Sequence, residues 1–328
     1  MPELQFFRGD TGVNIIATKT GTLYPDKFYI ICAHYDSYAH TDPEQAPGAD
    51  DNASGTAAML EAARLFYNLP SNYSIKFIAF DEEESGLFGS IYFAEQASQA
   101  GMEIEGVINL DMIAFTSDDD YTYDLCTENN TSQLTLDFSS SAGFYYPDLI
   151  THTDNCSASD HYSFWLSEYP AIGLVQAHSD FNPFYHTAQD VIDNFNFRYY
   201  FSLAKTAYTT LLANVLEFRY TITHDHLIST NQTTPRLAEA VITGTIPIAQ
   251  GNNAPRLYYS TDNINYDYVL TFESVGDTFR FMIPGFSYGT VVNYFFAVQD
   301  EEANFLMTSP YGGMGFPAQG TIPPSATY

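Results

Sequence analysis

The chain has 328 residues with 40 Asp+Glu against 11 Lys+Arg, a formal net charge of −29. So few cations cannot build a basic patch, which excludes nucleic acid and anionic membrane surfaces as partners. No apolar run reaches the roughly 20 residues of a membrane span. Apolar residues at 45% with charged residues at only 16% describe a globular protein, long enough for one large domain and a smaller one.

The first strand pattern, Gly12–Thr18, lies close to the start of the chain with no signal-peptide pattern before it, so we expect a leading segment to have been trimmed. Phe28–Ala33 is the next buried strand, and it runs into Ala33-His34-Tyr35-Asp36-Ser37. Gly48-Ala-Asp-Asp-Asn-Ala-Ser-Gly55 leads into a helix over Ala53–Tyr67, with Ala, Met and Leu at helical spacing. A strand at Ile75–Phe80 is followed by Asp81-Glu82-Glu83-Glu84-Ser85-Gly86 and a helix over Leu87–Ala100. The strand Glu105–Leu110 ends in Asn109-Leu110-Asp111-Met112. Helices follow at Ser132–Ala142 and Asp160–Leu166, then a strand at Ala171–Val175. Tyr185-His186-Thr187-Ala188-Gln189-Asp190 precedes a last helix over Arg198–Phe218.

Strands alternating with helices predict an α/β domain, a mixed and mostly parallel sheet with helices on both faces. Ligands of such sheets gather at the carboxyl ends of the strands. His34, Asp36, Glu83, Glu84 and Asp111 all fall there.

After His224-Asp225-His226 the texture changes. Thr223–Thr234 is polar, and Glu239–Thr245, Arg256–Ser260, Thr278–Ile283 and Val291–Val298 are period-two stretches broken by turn residues. These predict a β-sandwich of about 100 residues. Gly312–Pro324 reads as a Gly/Pro-rich tail. We divide the chain into residues 1–222 and 223–328. Cys32, Cys126 and Cys156 show no zinc-binding spacing. Cys32 sits in a buried strand pattern, which leaves Cys126–Cys156 as the better disulfide pair.

Two imidazoles and a surplus of carboxylates form the ligand set that two neighbouring zinc ions need. Asp36 stands two residues after His34 in an extended segment, projects the same way, and can bond the second ring nitrogen. Asp111 closes an apolar strand, where an unpaired carboxylate is costly and a metal removes the cost. Taken singly, the His-Tyr-Asp and Glu82–Glu84 segments also read as solvated turns. His40 has no assigned role, and His152, His178, His224 and His226 lack partners at ligand spacing and read as surface residues.

In order, these motifs are HxD, D-x-x-S-G, EE-x-G, LDM and HT-x-x-D. Across Gly12–Phe218 they resemble the bacterial leucyl aminopeptidase family of co-catalytic two-zinc exopeptidases. The resemblance implies two zinc ions per chain, with manganese or cobalt as possible substitutes. His34, Asp51 and Asp111 would bind one ion, and Asp51, Glu84 and His186 the other. Ser54 fixes the shared aspartate as Asp51, with Asp50 as the alternative, and the peptide after it, Asp51–Asn52, is implied to be cis. Glu83 is implied as the general base, Asp36 as the orienting carboxylate, and Tyr185 as a donor to the oxyanion. Ser159-Asp160-His161 recurs near the substrate pocket of the family, although Ser159 also reads as a helix N-cap.

The expected protein is therefore a secreted or cell-surface, monomeric metallo-aminopeptidase acting on peptides. Aromatic loops at Phe144–Tyr146 and Phe181–Tyr185 favour an apolar first residue. Leu257–Val269 and Val291–Asn304 look like fibronectin type III or immunoglobulin-like modules of secreted hydrolases. Two other enzymes share the resemblance: a one-zinc glutaminyl cyclase, and a carboxypeptidase, which would need a basic residue for the substrate carboxylate. A non-catalytic binding module would hold no metal.

Overall fold

The computed structural model describes residues 2–310 apart from 41, 43, 70, 119, 129–132, 217–219, 245–246 and 302–305. It divides into two compact units, Met1–Glu217 and Phe218–Tyr328. In chain order the first unit contains β1 (Glu3–Phe7), β2 (Gly12–Lys19), β3 (Tyr24–His34), α1 (Gly55–Phe66), β4 (Tyr73–Phe80), α2 (Phe88–Gln99) and β5 (Glu103–Leu110). It continues with β6 (Thr122–Thr127), α3 (Gln133–Tyr145), β7 (Ile150–Asp154), α4 (His161–Leu166), β8 (Ala171–Gln176) and α5 (Phe197–Val215).

Its eight strands form one sheet in the order β1-β2-β4-β3-β5-β8-β6-β7. The pairs β3–β4, β3–β5, β5–β8 and β6–β7 are parallel, while β1–β2, β2–β4 and β6–β8 are antiparallel. The mixed, mostly parallel sheet is the one expected. The apolar run of β3 explains its central position, because successive side chains enter opposite faces. Ile31 and Ala33 pack with Met59 and Phe66 of α1, Phe138 of α3 and Leu203 and Leu211 of α5. Ile30 and Cys32 pack on the other face with Phe93 and Ala97 of α2 and Phe164 of α4.

The predicted elements are present, with ends shifted by up to four residues. The strands β1, β6 and β7 were not foreseen. Thr122–Thr127 carries Asp124 in a strand buried almost throughout, and Ile150–Asp154 is polar and largely exposed, so neither shows an apolar period.

The second unit comprises β9 (Tyr220–Thr223), β10 (Arg236–Gly244), β11 (Arg256–Ser260), β12 (Asp267–Leu270), β13 (Glu273–Val275), β14 (Thr278–Ile283), β15 (Asn293–Gln299) and β16 (Leu306–Ser309). Two antiparallel four-stranded sheets, β13-β14-β10-β9 and β12-β11-β15-β16, share one core. Ala238, Ala240 and Ile242 alternate inward along β10 and meet Leu257, Phe296 and Val298 of the other sheet. The Gly312–Pro324 tail lies outside the described residues. No helix among the described residues is long and apolar enough to cross a membrane.

Candidate active site

Three parallel strands, β3, β4 and β5, deliver three motifs at their carboxyl ends. His34 is the last residue of β3, Asp81–Glu84 follow β4, and Asp111 follows β5. Between β3 and α1 the chain winds through Ala49–Ser54, a wide turn broken at Asp51 and Asn52, whose dihedrals are not helical. The Asp51–Asn52 peptide is cis. Gly55 then starts α1 against the end of β5, where a Cβ would stand 2.2 Å from the Leu110 carbonyl oxygen. Only glycine permits that approach. His186 comes from the loop after β8, with a left-handed φ of 55°.

Asp51 lies between the two imidazoles. Its Oδ1 is 3.3 Å from His34 Nε2 and its Oδ2 is 3.1 Å from His186 Nε2. Asp111 Oδ1 stands 3.4 Å from His34 Nε2, and Glu84 Oε2 stands 2.8 Å from His186 Nε2. Glu83 Oε2 is farther from His34, at 3.9 Å. Asp50 is turned elsewhere: its oxygens accept from the Ala114 amide at 2.9 Å and from Asn182 Nδ2 at 3.0 Å. Glu82 also leaves the cluster, its Oε2 meeting Arg8 on the β1–β2 turn.

A second ring of residues holds the first. The Asp36 carboxylate accepts the Glu83 and Glu84 amides, both at 3.1 Å, and its Oδ1 lies 3.4 Å from His34 Nδ1. His34 Nδ1 also faces the Asp36 carbonyl at 3.1 Å. Both neighbours are acceptors, so Nδ1 carries a proton toward them, while Nε2 faces the carboxylates of Asp51 and Asp111. Asp190, which ends the HT-x-x-D motif, accepts the amides of Asp50 and Asp51 at 3.0–3.1 Å across 140 and 139 residues. The Ser159 hydroxyl donates to Asp111 Oδ2 at 2.6 Å and accepts from Asn109 Nδ2 at 2.7 Å. Ser159 is thus no helix cap; α4 begins at His161, with Asp160 before it and no side-chain cap bond.

The arrangement suits cations. His186 Nε2 and Glu84 Oε1 are buried yet take no hydrogen bond, although carboxylate oxygens lie close to the nitrogen. Donors that crowd together without hydrogen-bond geometry are donors that converge on a common point. In a tetrahedral zinc site, bonds of about 2.0–2.1 Å put neighbouring ligand atoms about 3.3 Å apart, close to the spacings seen here. Electrostatics point the same way. Burial, with Asp111, Asp160 and Glu84 adding to it, pushes the Glu83 carboxyl up to about 10, and burial with Asp51 pushes Glu84 up to about 7. Burial would raise Asp51 as well, but its contacts with His186 and His34 more than offset this and bring it to about 2. Burial works to lower His34, while Asp111, Asp36 and Asp51 more than reverse it. Bound cations would relieve such crowded carboxylates.

A cavity of about 340 Å³ opens onto this cluster. Asp51, Glu83, Glu84 and Asp111 meet a wall that includes Met112, Leu174, Val175, Phe181 and Tyr185, together with Cys126 and Cys156, which are joined as a disulfide. Among the described residues no lysine or arginine lines it. Tyr185 stacks on His186 with ring centroids 3.6 Å apart. Burial first, then Asp51 and Glu84, raise its phenol, so the hydroxyl keeps its proton as a donor.

One expectation needs correction, and three histidines gain a context. Phe144–Tyr146 do not line the cavity: Phe144 and Tyr145 are exposed at the end of α3, whereas Phe181 and Tyr185 of the other aromatic loop do line it. His152 and His178 are not isolated, since both rings bond to the buried Asp124, a partner at 28 and 54 residues' separation that local spacing could not reveal. His40 does have a neighbour, for its amide donates to the His186 carbonyl at 3.0 Å and its ring meets the His186 ring edge-on.

The architecture and the cluster define the class as the α/β fold of zinc aminopeptidases. The structure of BSAP, a zinc aminopeptidase from Bacillus subtilis, superposes with a TM-score of 0.55 at 28% identity, covering 62% of this chain and 50% of that one. A glutaminyl cyclase from Porphyromonas gingivalis shares the fold, with a TM-score of 0.52 at 20% identity over 66% of this chain and 84% of that one. The profile of peptidase family M28 matches residues 14–211, more than half of the chain, and the protein belongs to that family. Aminopeptidase YwaD of Bacillus subtilis is 33% identical over 202 residues, which is 58% of this chain but 42% of its own length. The chain spans about half the length or less of these aminopeptidases.

Proposed function

We propose that the protein is a zinc-dependent aminopeptidase that removes N-terminal residues, apolar ones foremost, from peptides. The observation that carries this reading is Asp51, which turns one oxygen to each of two imidazoles. A carboxylate so placed suits two neighbouring ions better than one. His34, Asp51 and Asp111 would hold the first zinc, and Asp51, Glu84 and His186 the second; manganese or cobalt could substitute. When bound, the ions supply Lewis acidity to the scissile carbonyl and make water a stronger acid.

The rest of the chemistry falls to the chain. Glu83 Oε2 takes a proton from the attacking water and returns it to the leaving amine nitrogen. Asp36 sets this loop through the Glu83 and Glu84 amides and fixes the His34 ring. The Tyr185 hydroxyl donates to the carbonyl oxygen as charge develops on it. The carboxylates draw the cationic amine of a free N-terminus, and the apolar wall receives the first side chain. The absence of lysine and arginine from the described lining favours this over a carboxypeptidase, and the grouping of His34, Asp51, Glu84, Asp111 and His186 favours it over a one-zinc cyclase.

We assign the first compact unit, expected as residues 1–222, to a peptidase domain and the second, expected as 223–328 but opening with β9, to a fibronectin type III or immunoglobulin-like module. The paired antiparallel sheets support the module, but a fold of this kind carries no fixed function. The Cys126–Cys156 disulfide supports a secreted or cell-surface setting. Glu83→Gln tests the mechanism. Zinc content stays near that of the wild type, while kcat on a leucyl substrate falls about 10²- to 10⁴-fold. A variant that keeps its zinc and most of its turnover would sink the role of Glu83.

A further inference from the structure

Asp124 in β6 is buried and holds two exposed imidazoles. Its Oδ1 accepts His152 Nδ1 at 2.7 Å, and its Oδ2 accepts both His178 Nδ1 at 2.6 Å and the His178 amide at 2.8 Å. Burial pushes the Asp124 carboxyl up, but these three donors more than offset it and keep it below the usual range. A carboxylate only accepts, so each Nδ1 carries its proton and each ring turns Nε2 outward. His178 is also part of the cavity wall that faces Asp51, Glu83, Glu84 and Asp111.

The wall is continuous. His178 stacks on Phe181, Phe181 meets Tyr185 edge-on, and Tyr185 stacks on His186. A flat aromatic side chain fits beside such rings. Of the two histidines on the wall, His161 has both nitrogens engaged, Nε2 with the Cys156 carbonyl at 2.8 Å and Nδ1 near Asn109 Nδ2 at 3.5 Å. His178 Nε2 takes no bond among the described residues. A ring nitrogen whose partner nitrogen donates to a carboxylate is a stronger acceptor. An acidic side chain would meet four carboxylates in the same cavity, and a basic one would be drawn to them and away from the wall.

Building on the aminopeptidase reading, we propose that His178, set by Asp124, is a specificity-determining residue that accepts a hydrogen bond from the phenol of an N-terminal tyrosine. His178 is 60% exposed, so water competes for Nε2 and the gain is that of an ordinary net hydrogen bond, about 3- to 10-fold. The large discrimination of a fully buried polar pocket does not apply.

The test compares kcat/KM for tyrosyl-, phenylalanyl- and leucyl-p-nitroanilide in the zinc-loaded full chain. The wild type favours tyrosyl over phenylalanyl about 3- to 10-fold. His178→Phe, which retains a ring against Phe181 but has no acceptor, brings the ratio to about one, whatever it does to the rates as a whole. A wild-type ratio near one overturns the proposal without any variant, as does a ratio unchanged in His178→Phe. Leucyl turnover separates the two readings: its absence in the wild type contradicts the aminopeptidase assignment itself.

Discussion

The carboxylates proposed as zinc ligands are held in place by further residues around them. Asp190 is the clearest case, because its carboxylate binds the amides of Asp50 and Asp51 and so sets the turn that presents Asp51. Such supporting partners typically govern metal affinity by 10- to 100-fold. Asp190→Ala is therefore expected to weaken zinc binding by about that factor, read by competition with a chelating dye, with the fold intact by circular dichroism. Unchanged affinity would mean that the turn holds its shape without Asp190. Register, in contrast, was legible in the sequence. Ser54 singled out Asp51 from Asp50, and Ser85-Gly86 singled out Glu83 and Glu84 from Glu82. In the structure Asp50 is bonded to Ala114 and Asn182, and Glu82 to Arg8.

At the scale of elements, the carboxyl ends of β3, β4 and β5 were readable because buried parallel strands are continuous apolar runs. β6 was not. It keeps Asp124 inside, and the histidines that make this tolerable lie far away in the chain. Local periodicity cannot see a partner set by tertiary folding. The start of α4 carries a pH dependence of its own. Burial lowers His161 to about 4, against the Cys156 carbonyl and Asp111, which raise it. With an unfolded value near 6.5, the unfolded chain takes up a proton that the native ring refuses. This contribution is fully present above about pH 6.5 and is lost as pH falls toward 4, on the order of 3 kcal/mol in all. Urea unfolding at pH 7 and pH 4.5 should show a smaller loss in His161→Gln than in the wild type. An equal loss would mean that other groups carry the acid sensitivity.

Across the whole molecule, the net charge of −29 and the cavity without lysine or arginine act together. Both favour a cationic amine at the cluster and discourage a free carboxylate there. The second unit has a core of its own. On the proposed function, metal and a free N-terminal amine are both required for cleavage. Hydrolysis of leucyl-p-nitroanilide and its N-acetyl counterpart, before and after removal of metal by a chelator and again after zinc is restored, tests that claim most directly. The expected result is turnover of the free-amine substrate alone, lost on chelation and recovered with zinc. Equal cleavage of the acetylated substrate, or activity that survives complete removal of metal, would contradict it.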